Sequence, residues 1–253
     1  MATRDDGFYV GYLPMPKQHR AFARVAVGSV LCGAVGLGAL LGWLMDDPGS
    51  GVWDTSEVAM LSGTLRLDPV AFVETSEGPV LLVEQGKFGA RDLSSFDGRA
   101  VVASGAMLSR GGMRMVELAA TAAAVAEGPP LSTTASVPTM GETAGAITIS
   151  GEIIDTKCYL GAMKPGEGVT HAACARLCIR GGIPASIVGT AAGRPVWAVI
   201  DAGDAEHIDD RMLRAVGSEV VLTGRLETVH GLPVLRDAAL AGSGSMASGS
   251  AGG

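Results

Sequence analysis

The sequence predicts a mainly β protein, with one N-terminal transmembrane helix followed by two small β-barrel modules. Three observations carry this expectation. A charge-free apolar run occupies Val25 to Met45. Behind it, short β-like runs are punctuated by glycine in two blocks, 58–126 and 147–241. The two blocks also begin and end on similar phrases.

The run VAVGSVLCGAVGLGALLGWLM is 21 residues long. At about 1.5 Å per residue it spans roughly 30 Å, the hydrocarbon thickness of a bilayer. A core helix would carry a polar stripe, and this run has none. Lys17, Arg20 and Arg24 precede it, whereas Asp46, Asp47, Asp54 and Glu57 follow. The positive-inside rule then leaves residues 1–24 in the cytoplasm and the bulk of the chain outside a bacterial inner (plasma) membrane. The run exceeds the apolar core of a cleaved signal, and no small-x-small site precedes the acidic stretch, so the helix is read as a retained anchor. Trp43 suits an interfacial aromatic. Ala34, Gly38 and Gly42 recur at four-residue spacing, and Gly28, Cys32 and Gly36 form a second row. Such rows let helices approach closely in lipid and point to a transmembrane partner, either a second copy or another subunit. Cys32 itself is a small apolar residue here. The aromatic segment Gly7 to Pro16 is suited to the interface or to that partner.

The chain of 253 residues has a net charge of −7. Arg4, Lys17, Arg20 and Arg24 stand near the N-terminus, so 15 of the 19 basic and 24 of the 26 acidic residues belong to the rest. That balance excludes nucleic acid as a partner, because phosphate binding needs clustered basic residues. With 37 glycines and 4% aromatic residues, the cores must be small and built from Val, Leu, Ile and Ala.

Asp47 to Gly51 reads as a spacer, and 127–146, rich in Pro, Ser, Thr and Gly, as a linker. The tail 242–253 (GSGSMASGSAGG) holds too little apolar surface to fold, and is read as disordered. In the first module the strand runs are Met60–Leu67, Val80–Glu84, Ala100–Ala106 and Met113–Leu118. In the second they are Ile147–Ile154, Ala185–Val188, Val196–Ile200, Glu219–Leu226 and Leu232–Leu235. SGTLRLD opens the first module and SGEIIDT the second. Each ends on a strand, a Gly turn and a short return strand, which is a hairpin signature. The whole resembles a tandem pair of barrels of the oligonucleotide/oligosaccharide-binding type. Nucleic-acid binding does not follow, since basic grooves and stacking aromatics are both missing.

The chemically loaded stretch runs from Asp155 to Pro184 and has no counterpart in the first module. It contains Cys158, His171, Cys174 and Cys178 in the spacing C-x12-H-x2-C-x3-C. A short helix is expected, with Thr170 as N-cap and Gly181-Gly182 as stop. On it His171, Cys174 and Cys178 share one face, and Cys158 comes from the preceding strand end through a Pro-Gly-rich loop. Three readings follow. Cys3His is a tetrahedral set for zinc, and soft thiolates also suit copper(I). A disulfide of Cys158 with Cys174 or Cys178 would staple the loop, and an oxidising compartment favours it. A redox-active thiol pair is the third.

The stretch also resembles a group of secreted bacterial domains of unknown function. Their pattern is Gly-x-x-x-Asp-x-x-Cys, a His, then Ala-Cys-x-x-x-Cys-x-x-x-Gly. Gly151, Asp155, Cys158, His171, Ala173, Cys174, Cys178 and Gly182 hold those places. Tyr159 replaces the group's usual Gly, and the loop before the helix is longer. The resemblance implies an extracytoplasmic small β-barrel with a Cys/His-pinned loop, and no activity.

No phosphate loop, HExxH or nucleophile elbow occurs. Gln85 to Ala90 (QGKFGA) reads as a turn. Glu152, Asp155 and Lys157 read as a solvated strand face, and His207 and His230 as exposed. These features together suggest a non-catalytic, single-pass accessory subunit of a membrane redox or respiratory complex. The alternative is a metal-binding or thiol-redox protein acting through Cys158, His171, Cys174 and Cys178.

Overall fold

Apolar residues at every position around the axis form one uninterrupted helix, α1 (Lys17–Leu44). Its stretch His19–Leu44 is long and apolar enough to cross a membrane. The helix begins ahead of the expected Val25 because Lys, Gln, Arg and Ala are good helix formers and continue it through the basic flank. Ala34, Gly38 and Gly42 are exposed on it. The computed structural model describes residues 17–44, 51–121, 123–129, 145–203, 205 and 207–241. The Gly7–Pro16 motif, most of the linker and the tail lie outside the described residues.

Beyond the helix, eleven strands among the described residues form two five-stranded closed barrels and one added strand. The first uses β1 (Val52–Arg66), β2 (Phe72–Thr75), β3 (Gly78–Val83), β4 (Ala100–Arg110) and β5 (Met113–Leu118). They run in the order β1-β2-β3-β5-β4, and β1 pairs with β4 to close the ring. A short strand, β6 (Val125–Glu127), adds to β4. The second barrel uses β7 (Ala146–Asp155), β8 (Ala185–Ala191), β9 (Arg194–Ile200), β10 (Glu219–Val229) and β11 (Leu232–Leu240). Its order, β7-β8-β9-β11-β10, matches the first. In each barrel the third and fifth strands pair in parallel, Leu81 opposite Met115 and Val234 opposite Val199. The repeat read from the opening and closing phrases is thus a repeat of topology. Strands β2 and β6 and the helix α3 (Asp210–Ala215) were not foreseen; the two strands are too short to show a period.

The strand residues alternate between two destinations. Val80, Leu82 and Val116 fill the first barrel with Leu65, Val73 and Val101. Ile149, Ile153, Ile187, Ala198 and Leu222 fill the second, under α3 and α2 (Ala172–Arg180). The intervening residues do not face water. Phe72, Leu81, Val83, Leu108 and Met115 of the first barrel meet Val199, Leu232 and Val234 of the second in a third core. Cys158, Leu160, Cys178 and Ile183 belong to this third core too. The barrels are therefore one body, although a linker joins them.

Polar ties frame the contact. Lys157 Nζ donates to the carbonyls of Glu84 (2.9 Å) and Gly86 (2.7 Å) and pairs with the Glu117 carboxylate. Arg236 bridges Asp201 (2.6 Å) of the second barrel and Asp68 (3.0 Å) of the first. His230 Nδ1 lies 3.2 Å from the Glu74 carboxylate. The Gly89 N–H donates to the Gly181 carbonyl at 3.0 Å. Side chains are excluded at this crossing: a Cβ on Gly181 would strike the Lys87 carbonyl, and one on Gly89 the backbone of Gly182.

The Lys157–Glu117 side chains are only 4% and 11% exposed, whereas those of the Arg99–Glu127 pair are 60% and 70% exposed. Lys157→Met leaves Glu117 buried without its counter-charge and is expected to cost about 3–5 kcal/mol. Arg99→Met is expected to cost under about 1 kcal/mol. Denaturant unfolding of the full chain in mild detergent compares them, and equal midpoints would refute the ranking.

Candidate metal centre

The site begins at the end of β7. Asp155, fully buried, ends the strand, and its Oδ1 accepts the Cys158 N–H at 2.8 Å. That bond turns Thr156 and Lys157 into a helical turn and opens a π-helical turn, Cys158–Ala162. Thr156 holds the turn from the other side through the Pro184 carbonyl and the Ser186 hydroxyl, both at 2.8 Å. The strand face expected to be solvated is therefore interior: Asp155 and Lys157 are buried because the first barrel packs over them. Glu152 is half-buried and accepts the Gly168 N–H at 2.6 Å. Burial raises the pKa of its carboxyl above the usual range.

The loop returning to α2 is pinned at several points. Arg110 of the first barrel donates to Glu167 (2.8 Å) and stacks its guanidinium 3.9 Å from the Tyr159 ring centre. The helix starts one residue later than a Thr170 cap would place it. Gly168 and Val169 carbonyls accept the His171 and Ala172 N–H groups, so His171 takes the cap position with no side-chain cap bond. Gly181 ends the helix as anticipated, its N–H returning to Leu177 and Cys178.

These constraints bring the four anticipated residues into one locus. The ligand atoms of Cys158, His171 and Cys174 all lie within 4.8 Å of one another, as do those of Asp155, Cys158 and Cys178. Cys158 is common to both sets. His171 Nε2 is 2.9 Å from Asp155 Oδ2. With the Nε2–H donating to the carboxylate, Nδ1 is the nitrogen left to bind a cation, the usual carboxylate–histidine arrangement around metals. All four cysteines of the chain are free thiols. No disulfide joins Cys158 to Cys174 or Cys178 in this structure, and the Cys158 and Cys178 sulfurs lie within 4.8 Å of each other.

One contributor lies in a segment whose sequence predicts only a turn. Lys87, in the loop after β3, places Nζ 2.8 Å from Cys174 Sγ and 3.6 Å from Cys178 Sγ. It comes from the other barrel, and its only sequence signal is a lysine between glycines directly after a strand. Met163 was also missed: its Sδ accepts from Cys174 Sγ at 3.5 Å. His207 is half-buried, bonded to the Ile208 carbonyl, and His230 is exposed; neither joins the cluster.

The electrostatics follow from these contacts. Hydrogen bonding from Cys158, assisted by Lys87, lowers Cys178 to about 7 against the opposing effects of burial and Asp155. Cys158 is pushed up by the same bond, by burial and by Asp155. The Cys174 hydrogen bond and the Cys178 charge raise Lys87, which stays cationic. The cluster can thus hold negative sulfur beside a fixed ammonium, the setting that soft cations and thiol chemistry both require.

Comparisons with protein families, with curated proteins and with solved structures find no match. The motif resemblance therefore rests on its own residues.

The thiolate ultraviolet absorbance of the metal-free full chain is expected to rise through about pH 7 as pH increases, when Cys178 ionises. Lys87→Met removes a positive charge that favours the thiolate, so the midpoint moves upward. A midpoint unmoved by the substitution would show that Lys87 does not act on the sulfurs.

Proposed function

We propose that this chain is a membrane-tethered protein that holds a soft transition-metal ion, copper(I) or zinc, in a thiolate centre between two extracytoplasmic barrels of the oligonucleotide/oligosaccharide-binding type. The observation that carries the reading is the convergence of Cys158, His171 and Cys174 within 4.8 Å, with Cys178 joined through Cys158. Asp155 supports it as the group that orients both His171 and the Cys158 turn. Lys87 offsets part of the thiolate charge that a buried centre accumulates. Elemental analysis with free-thiol titration of the full chain in mild detergent is expected to give one metal per chain. Cys158→Ser removes it, because Cys158 belongs to both sets, and Asp155→Asn weakens it about 10–100-fold. Absence of metal with two blocked thiols would replace the centre with a structural staple.

A second reading is a thiol-redox pair, favoured by the approach of the Cys158 and Cys178 sulfurs within 4.8 Å and by the lowered pKa of Cys178. A reversible disulfide with a potential well above about −300 mV in the metal-free chain supports it.

The tether, its orientation and the accessory role rest on α1. The basic flank Lys17, Arg20 and Arg24 supports a cytoplasmic N-terminus. The exposed small-residue row Ala34, Gly38 and Gly42 supports packing against a transmembrane subunit of a redox assembly. Protease added to right-side-out vesicles is expected to remove the barrels and spare an N-terminal tag. A processed N-terminus lacking α1 would mark a cleaved signal instead. In mild detergent the chain is expected to co-purify with a partner or a second copy. A lone monomer would overturn that part.

A further inference from the structure

The four sulfurs nearest the centre are graded in depth. Cys178 and Cys158 are 2% and 4% exposed, Cys174 is half-buried, and Met163 is 46% exposed. Each sulfur adjoins the next. Met163 Sδ is 3.5 Å from Cys174 Sγ, Cys174 shares a ligand set with Cys158, and Cys158 shares the other with Cys178. Met163 is not there for want of packing elsewhere, since nearly half of it faces solvent. Its loop is held by the Glu152–Gly168 bond, the Arg110–Glu167 pair and the Arg110–Tyr159 stack.

We propose that Met163 is a further ligand at the mouth of the centre and that the cation is copper(I), entering through Met163 and Cys174 and passing inward to Cys158 and Cys178. The proposal rests on the metal-centre reading and narrows it. A thioether is neutral and soft, so it serves copper(I) and adds little for zinc, whose sites use thiolate, imidazole and carboxylate. A monovalent soft cation with few ligands can exchange one sulfur at a time, and a row of adjacent sulfurs running inward suits that movement. Copper keeps its oxidation state throughout. Each cysteine that ligates gives its proton to solvent, the carrier that delivered the ion is released, and Met163 releases no proton. Lys87 remains as the fixed positive partner of the thiolates.

The test uses the reduced full chain in mild detergent under anaerobic conditions, with the copper(I)–bicinchoninate complex and zinc ion as separate probes. The wild type is expected to strip copper(I) from the chelator, visible as loss of its colour. Met163→Leu is expected to slow that transfer at least about tenfold, the scale on which groups around a metal tune it. Zinc binding is expected to stay unchanged, which also shows that the variant is folded. Met163→Gln, similar in length but without sulfur, is expected to match Leu. Copper(I) transfer equal to wild type in both variants would overturn the proposal and leave the metal centre standing. Zinc uptake with no copper(I) uptake would do the same. Failure of both metals to bind would overturn the proposal together with the reading beneath it.

Discussion

The buried ammonium of Lys157 is the constraint on which the rest of the molecule depends. It leaves the second barrel and ends among groups of the first, taking two loop carbonyls and the Glu117 carboxylate. Those carbonyls belong to Glu84 and Gly86, so the loop that carries Lys87 is fixed in the same act. A pair this deep gains from low dielectric but also suffers desolvation, so its value is specificity of arrangement as much as stability. The more exposed ion pairs contribute little to either. Around this point the third core closes, and apolar strand residues that would otherwise face water find partners across the barrels.

The same economy governs the cysteine cluster. Asp155 has two oxygens and both are committed, one to the Cys158 amide and one to His171. One carboxylate thereby fixes the turn that carries the first sulfur and the ring that faces the others. The second barrel supplies every candidate ligand. The first supplies Lys87 and the Arg110 that restrains the loop. A repeated barrel with one insertion thus becomes a composite site, because the plain copy of the repeat closes over the copy that carries the insertion.

Legibility in the sequence tracked the range of the interactions involved. Strand β5 matches the expected Met113–Leu118, and the hairpins β4–β5 and β10–β11 sit where Gly turns separate apolar runs. Local chemistry decides such elements, so local reading finds them. The Thr170 cap failed because carbonyls of a preceding turn had already satisfied the helix's free N–H groups. Asp155 and Lys157 looked solvated because alternation along a strand says which residues share a face and is silent on what covers it. Lys87 was beyond reach for the same reason, its partners lying 87 and 91 positions away.

By itself the sequence determined the long apolar helix, the two β-rich blocks, their common beginning and end, and the grouping of His171, Cys174 and Cys178 on one helical face. Each is a matter of period, composition or turn chemistry within a few residues. Only the tertiary structure decided that the barrels share a core, that Cys158 folds back to that face, and that a lysine from the other barrel stands beside the sulfurs. Those outcomes follow from close packing of the strands' second faces and from the need of buried charges for partners, and neither is written in any short window of sequence.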